Sequence, residues 1–431
     1  MNSTHKYNAT VSVKRQTAAW LGLLALLTVT APANGAGLWL YEQGMPDLGT
    51  AAAGRAALAE SAATAGGNPA GMTRLKQSQL LLGAQPMYVD AKFDTESSSF
   101  GGGNAGGWVP AGGLHYVHSV SDDLKLGLSA ASYLGLGLDY GKDWAGRYYI
   151  TEGEILTFAV QPSVGYRVNE QLSIGGGINI VYGSLDQKVA VNNVFEALPD
   201  GQLELDEDDV GYGFNLSTLY EFNTGSRIGL AYQSRVDLEF DDVVSANGLG
   251  PLLRAALTAS GLLGSSVDME MTLPQQIMLS GYHQVDDKLA IVANLGWQDW
   301  SEFGKTDISV NSSTTTSLTV DRNFDDTWHM AIGARYRVSP PWLLMAGFAY
   351  DSSPVDNDDR TIDLPLDRQY RYALGAQYQY SKDLTLGSAF EILDAGDAKV
   401  NQTGGPLKGD LKGEFDTNTI YIFNVTASWR F

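Results

Sequence analysis

The segment SRIGLAYQSRVDLEF, residues 226–240, alternates apolar and polar side chains with a period of two. One face carries aliphatic and aromatic side chains: Ile228, Leu230, Tyr232, Val236, Leu238 and Phe240. The other face carries polar and charged ones: Arg227, Gln233, Arg235, Asp237 and Glu239. Because successive side chains of a β-strand point to opposite sides of the sheet, this pattern predicts one long strand. Its length and its two unlike faces suit a membrane barrel, with lipid outside and a polar lumen inside.

The same alternation recurs at 154–168, 328–338 and 369–380, and the connections between such segments fall into two classes. Short turns occur at 121–123, 169–171, 223–225, 286–287, 339–341 and 381–383. Long connections occur at 95–107, 139–153, 192–208, 241–266, 302–323, 354–365 and 395–413. Short turns on one side and long loops on the other are typical of outer-membrane barrels, whereas a soluble β-sandwich has no reason to sort its loops. The pattern predicts an all-β chain, a 14-stranded antiparallel transmembrane barrel with both ends on the short-turn side.

Residues 36–77 differ from the rest of the chain, since they are rich in Ala and Gly and carry few β-branched residues. The segment contains Asn68-Pro69-Ala70, and Asn-Pro favours the start of a turn. A compact non-strand segment at the head of an all-β chain predicts a plug that the strands enclose. The strands themselves would then occupy residues 78–431.

Residues 1–35 read as an export signal. Three basic residues precede the apolar run 18–29, and small residues at Ala31, Ala33 and Gly35 offer a cleavage site. A dozen apolar residues are too few for a hydrocarbon core that needs about twenty. The net charge of −21 argues against nucleic acid as a partner. The chain has no cysteine, which excludes disulfides and Cys-ligated metals.

One long connection is predicted to hold a helix. Pro251 suits the first helical turn, Leu249, Leu252, Leu253 and Leu257 follow helical spacing, and Gly261 and Gly264 would end it. Two interpretations remain open for this apolar helix. It packs on neighbouring loops, or it forms one wall of an outer groove for an oily ligand, with Phe195 and Leu198 opposite.

Enzyme motifs are missing from the sequence, and we expect neither a catalytic site nor a cofactor nor a bound metal. His115 and His118 lie three apart on a predicted strand, so they point to opposite faces and cannot hold one metal. The glycine spacing at 49–55 lacks the Lys-Ser/Thr of a P-loop. The acidic run 206–209 and the acidic residues near 356–359 are expected to be solvated, or to bridge to lipopolysaccharide through divalent cations.

Several short motifs together resemble one family. They are Gly37-Leu38, Asp47-Leu48-Gly49, Gly54-Arg55-Ala56, Gly67-Asn68-Pro69-Ala70-Gly71, Tyr282-His283-Gln284-Val285-Asp286, Trp297–Trp300 and Asp351-Ser352-Ser353-Pro354-Val355. In this order they resemble the FadL-type outer-membrane transporters of long-chain fatty acids. The resemblance implies passive uptake without energy or cofactor, release by a shift of the start of the plug, and a sideways exit through a kink in the third strand. The matching strand is 124–139, and Tyr133, Gly135 and Gly137 lie where the kink would be.

The resemblance also implies partners. They are a hydrophobic small molecule, outer-membrane lipid with lipopolysaccharide, and the barrel-insertion machinery, which would read the terminal aromatic Phe431; a monomer is expected. The family places basic residues on the fifth strand to meet a carboxylate, yet the matching stretch 181–186 is neutral or acidic, with only Lys188 beyond it. Lys305 roughly matches a second base. A long-chain fatty acid is therefore the favoured cargo, with a neutral aromatic or alkane hydrocarbon, or a purely structural or adhesive barrel, as alternatives.

Overall fold

The computed structural model describes residues 41, 43–97, 99–193, 197–243, 245–259, 263, 266–311 and 315–431. In chain order the strands are β1 (Gln79–Thr95), β2 (Trp108–Ser119), β3 (Leu124–Asp139), β4 (Glu152–Arg167), β5 (Leu172–Val191), β6 (Gly201–Asn223), β7 (Ser226–Gln233), β8 (Val236–Val243), β9 (Ser245–Asn247), β10 (Ser266–Leu273), β11 (Gln276–Gln284), β12 (Leu289–Gln298), β13 (Lys305–Asn311), β14 (Thr315–Asp321), β15 (Thr327–Ser339), β16 (Trp342–Asp351), β17 (Gln369–Gln379), β18 (Leu384–Asp394), β19 (Val400–Thr403) and β20 (Asp410–Arg430). The helices are α1 (Arg55–Leu58), α2 (Thr64–Gly67), α3 (Pro251–Ala259), α4 (Trp300–Phe303) and α5 (Gly405–Lys408), with 3₁₀ helices at Pro46–Thr50 and Pro69–Arg74.

Fourteen of these strands form a closed antiparallel barrel, which confirms the predicted fold class. The order is β1 to β7, then β11, β12, β15, β16, β17, β18 and β20, and β20 pairs with β1 to close the ring. The closing ladder runs from Gln79 opposite Arg430 to Thr95 opposite Gly413. Closure pairs the first barrel strand with the last, so the ring does not end in an open edge strand, as a barrel in lipid requires. The outward side chains are apolar, for example Ile228, Leu279 and Trp429, all of them exposed in the isolated chain.

The strand predicted at 226–240 is in fact two strands in different sheets, so that part of the prediction is wrong. The barrel strand β7 ends at Gln233, and β8 joins β10, β13 and β14 in a four-stranded outer sheet. Ser234 marks the break, since its hydroxyl accepts a hydrogen bond from the Phe214 amide at 2.9 Å. Residues Val236, Leu238 and Phe240 are at most 1 % exposed, so they do not face lipid as predicted.

Residues 43–77, here called the N-terminal segment, contact the barrel strands on every side. The 3₁₀ helix Pro46–Thr50 packs on β15 to β18 and β20, α1 on β7 and β11, α2 on β2 to β4, and the 3₁₀ helix Pro69–Arg74 on β3 to β6. Residues 36–40 and 42 lie outside the described residues, as does the predicted signal. The boundaries 36–77 and the action of the segment as a plug therefore stay predictions.

Glycines on the inner wall allow the backbone of the N-terminal segment to approach closely. A side chain at any of these positions would overlap the segment's main chain: Gly83 against Gly44, Gly175 against Ala70, Gly229 against Ala56 and Gly347 against Thr50. Since only glycine lacks a Cβ, these contacts explain part of the high glycine content of the chain.

Polar wall residues then bind the main chain of the segment. The Asn294 side chain accepts a hydrogen bond from the Gly54 amide and donates one to the Ala52 carbonyl, both at 2.7 Å. The Arg227 guanidinium donates to the carbonyls of Ala57 and Leu58 at 2.5 and 2.6 Å. These bonds satisfy backbone groups that lie away from water.

Two sets of ion pairs also hold the segment. Glu60 bridges Arg335 on β15 at 2.8 Å and Arg227 on β7 at 3.4 Å, and Arg74 pairs with Glu221 on β6.

Among the described residues, no helix has the length and apolar character needed to span a membrane.

Candidate functional site

Asn68-Pro69-Ala70 lies in the C-terminal part of the N-terminal segment, against β6. Asn68 is fully buried and caps the 3₁₀ helix Pro69–Arg74, since its Oδ1 accepts from the Ala70 amide at 3.0 Å. Its Nδ2 donates to the Ala56 carbonyl at 2.6 Å and to the Thr218 carbonyl of β6 at 3.0 Å. One side chain thus ties two parts of the segment to the barrel wall.

Tyr41, at the start of the described chain, sits in a polar cage that sequence reasoning missed. Its ring lies 4.3 Å from the His329 ring and within 6 Å of the guanidinium carbons of Arg371 and Arg55, a range in which cations attract aromatic faces. Its hydroxyl accepts a hydrogen bond from Gln298 Nε2 at 2.6 Å.

The cage continues across four neighbouring strands. Asp351 of β16 contacts His329 Nδ1 of β15 at 2.8 Å and Arg371 Nε of β17 at 3.2 Å, and Arg371 approaches Glu391 of β18 at 3.5 Å. The one available sequence signal was the Asp351-Ser352-Ser353-Pro354-Val355 motif, which carries the central carboxylate. This network fixes the position of Tyr41 against the barrel wall.

The wall is interrupted between β2 and β3. Their ladder ends at Gly113 opposite Ala131, and among the described residues the two sides meet again where the Asp139 amide donates to the Ala105 carbonyl at 2.9 Å. Tyr133 is a β-bulge, since Ser132 pairs with Phe158 and Leu134 with Thr157. The bulge therefore lies at Tyr133, and Gly135 and Gly137 follow it. A bulge reverses which side chains face inward, so Leu134, Leu136 and Leu138 are buried beyond it.

Beneath the outer loops lies a mostly apolar cavity of about 130 Å³, here called the outer cavity. Its apolar lining is Leu136, Ile150, Ile155, Leu185, Met269, Met271, Phe303, Ile308, Val320 and Leu364. Its charged lining is Glu154, Asp186, Asp363 and Arg322. Arg322 pairs with Asp363 at 2.9 Å; burial acts to raise the pKa of Asp363, but this guanidinium lowers it below its usual value. The lining of the outer cavity is thus mostly apolar, and three of its four charged side chains are acidic.

The two lysines expected to meet a carboxylate are both engaged by the protein's own acids. Lys188 lies 3.0 Å from Glu152, 2.9 Å from Asp186 and 3.6 Å from Glu204. Lys305 is 45 % exposed and pairs with Glu302 at 2.7 Å. Neither lines the outer cavity, so their role as carboxylate partners stays a prediction that this geometry does not favour.

The predicted outer helix is present as α3, and none of its residues is buried. Leu252 is 59 % exposed, Leu253 and Leu257 are half-buried, and Leu249, just before the helix, is 8 % exposed. Leu198 of the preceding loop is 50 % exposed. Asn193 joins the two loops, since its side chain donates to the Gly248 carbonyl and accepts from the Gly250 amide. Phe195, Gly261 and Gly264 lie outside the described residues.

The structure does not bring His115 and His118 together. His115 is buried between Ser129 and the Gln43 carbonyl, while His118 is exposed, in accord with their opposite faces. In the part of the chain that the structure describes, no group of His, Asp and Glu could hold a metal ion.

A family model described as outer membrane protein transport protein (OMPP1/FadL/TodX) matches residues 25–431. The long-chain fatty acid transport protein of Escherichia coli is 28 % identical, with 93 % of this chain and 97 % of that protein covered. A 47 kDa outer membrane protein of Pasteurella multocida is 30 % identical over 94 % of this chain and 97 % of its own length.

Among solved structures, a FadL homologue of Pseudomonas aeruginosa superposes with a TM-score of 0.83 at 22 % identity, covering 92 % of this chain and all of the other. This similarity shows that the two chains share a fold, a barrel of the same kind, and shows nothing further.

Proposed function

Because the chain belongs to the OMPP1/FadL/TodX family of outer-membrane transport proteins, we propose that it is a passive channel through which long-chain fatty acids enter a Gram-negative cell. Relatives that cover nearly the whole chain are named as long-chain fatty acid transport proteins, and members of the family are transport channels. No energy source or cofactor is required, because the cargo moves down its own gradient.

Capture begins at the apolar surface of the outer loops. Each buried methylene contributes about 0.8 kcal/mol, so a long acyl chain can be held by area alone. Leu252 and Leu198 offer exposed apolar surface there, and the outer cavity offers buried surface below. The half-buried stripe of Leu253 and Leu257 is the part of α3 that a chain would cover.

The β2–β3 interruption is the observation that carries the proposal, because it offers cargo a way out of the barrel. The end of the ladder at Gly113–Ala131 and the bulge at Tyr133 leave a stretch of wall without strand pairing among the described residues. Cargo passes sideways here into the outer leaflet once the N-terminal segment, acting as the plug, shifts at its start near Tyr41. Binding must weaken at this stage, because a channel fails if its site holds too tightly.

A neutral hydrocarbon is the second candidate cargo, and the paired lysines favour it. A fatty acid carboxylate is costly to bury without a cationic partner. Lys188 and Lys305 are both neutralised by neighbouring carboxylates, and the charged lining of the outer cavity is mostly acidic. An alkane or aromatic molecule meets no such penalty.

Charging the apolar stripe of α3 tests capture. Leu253→Glu with Leu257→Glu should lower the uptake of radiolabelled oleate by cells roughly tenfold, because the leucine surface that would cover an acyl chain is lost. Ala255→Glu with Ala259→Glu adds the same two charges at the same spacing on exposed positions of the same helix, and should leave uptake unchanged. Unchanged uptake in the leucine variant, with normal amounts in the membrane, would favour a structural barrel over a channel.

A further inference from the structure

A second, smaller cavity of about 60 Å³ lies between the N-terminal segment and the barrel wall beside the β3 bulge, and is here called the gate cavity. Gly66, Gly67 and Pro69 of the segment form one side. Polar side chains from five strands line the other, among them Tyr133 of β3, Gln161 of β4, Asn215 of β6, Gln233 of β7 and Gln276 of β11. These five lie on inward-facing positions, so cargo that passes from the lumen to the interruption meets them.

The polar lining of the gate cavity is almost wholly uncharged. Arg55 is the single charged side chain among the described residues that line it. This guanidinium is already engaged, since it binds the Asp47 carboxylate at 2.8 Å and the Tyr41 carbonyl. A carboxylate entering this space would have to compete with Asp47 for its counter-ion.

Two amide oxygens of the lining form no hydrogen bond within the described residues. They are the Asn215 Oδ1 and the Gln276 Oε1. Asn215 is 6 % exposed. Leaving such an atom unpaired is unfavourable, so buried amides are normally bonded. The wall therefore presents polar atoms that a bound group can satisfy.

We infer that the gate cavity binds the uncharged, hydrogen-bond-donating head group of a long-chain molecule, such as a hydroxyl or a protonated carboxyl. The inference rests on the proposed transport function and specifies the form in which cargo reaches the exit. The unpaired Asn215 Oδ1 and Gln276 Oε1 are acceptors, so they match the O–H donor of a hydroxyl or a carboxylic acid. A bare alkane leaves the amides unpaired, and a site built for hydrogen bonds rejects an analogue that lacks them. A carboxylate is rejected for want of a free cation.

Calorimetric titration of the full-length protein in detergent with decanol, decane and decanoate at neutral pH tests the inference. Decanol should bind roughly fivefold to tenfold more tightly than either of the others, because one or two net hydrogen bonds separate them. Asn215→Leu should remove that preference while decane binding stays the same, which also reports that the variant is folded. Gln233→Leu provides a second test if the first variant is not obtained.

Gln377→Leu is the matched control, since it removes an inward-facing amide on β17 that lines a different cavity. It should keep the preference for decanol. Equal binding of all three molecules to the unaltered protein would overturn the head-group inference alone. Failure of all three to bind would overturn the transport proposal, and this inference with it.

Discussion

Replacing Gly229 with valine is expected to make the barrel conduct ions. Gly229 faces the Ala56 carbonyl so closely that a Cβ cannot be accommodated, and the clash is with backbone, which cannot rotate away. Ala56 belongs to α1. The Ser280 hydroxyl accepts a hydrogen bond from the Ala56 amide, and the Arg227 guanidinium donates one to the Ala57 carbonyl. The valine must therefore lift α1 off β7 and open space between the N-terminal segment and the wall.

Planar-bilayer recording with purified protein gives the measurement. The unaltered channel should show little steady current, and Gly229→Val should raise the mean current at least tenfold. Gly281→Val is the matched control, because it lies on the neighbouring strand β11 and an added Cβ there meets nothing within 4 Å. Equal currents in all three proteins would mean that the segment does not obstruct the lumen.

Replacing Glu60 with leucine is expected to loosen the same segment by an electrostatic route. Glu60 bridges Arg335 and Arg227, whose side chains are only 7 % and 2 % exposed. Removing the acid leaves two cations facing each other in the barrel interior without their shared partner. Breaking buried pairs costs about 3–5 kcal/mol, and we expect about 2 kcal/mol here because the Glu60 side chain is 42 % exposed.

Amide hydrogen exchange of residues 43–77 reports this loss directly. Protection should fall roughly thirtyfold in Glu60→Leu, which is what about 2 kcal/mol implies. A second change, Arg335→Leu, should restore part of the protection, because it removes one of the stranded charges. If the single variant exchanges like the unaltered protein, the bridge does not hold the segment.

Strand number and topology could be predicted from the sequence because both follow from local sequence patterns. Period-two alternation marks membrane strands, and the sorting of loop lengths fixes which end of each strand faces out. The pattern misled where alternation continued through Ser234 into β8, because an outer sheet buries one face just as a barrel does. Alternation records that two faces differ and does not record which sheet they belong to.

The candidate site was harder to predict because its members are brought together by register. Lys188 seemed free in the sequence, but it lies opposite Glu152 on one neighbouring strand and Glu204 on the other, and both carboxylates reach it. The cage around Tyr41 joins residues roughly three hundred positions apart in the chain. The bulge lies at Tyr133, one of the three residues named for the kink, and not at the two glycines, because glycine is a common but not a necessary residue at a bulge.

We expect cargo on its way to the β2–β3 interruption to pass between α2 of the N-terminal segment and β3, and a reversible cross-link tests this route most directly. A Cβ added at Gly66 of α2 would lie 3.4 Å from the Ser129 Cβ of β3, close to the 3.5–4.5 Å that a disulfide spans. The chain has no cysteine of its own, so Gly66→Cys with Ser129→Cys would form a unique bond.

Uptake of radiolabelled oleate by cells carrying the double variant is the measurement, before and after oxidation, with both single variants as controls. We expect oxidation to lower uptake at least tenfold in the double variant alone, and a reducing agent to restore it. Full uptake with the cross-link in place would contradict the account, because cargo would then pass without any separation of α2 from β3.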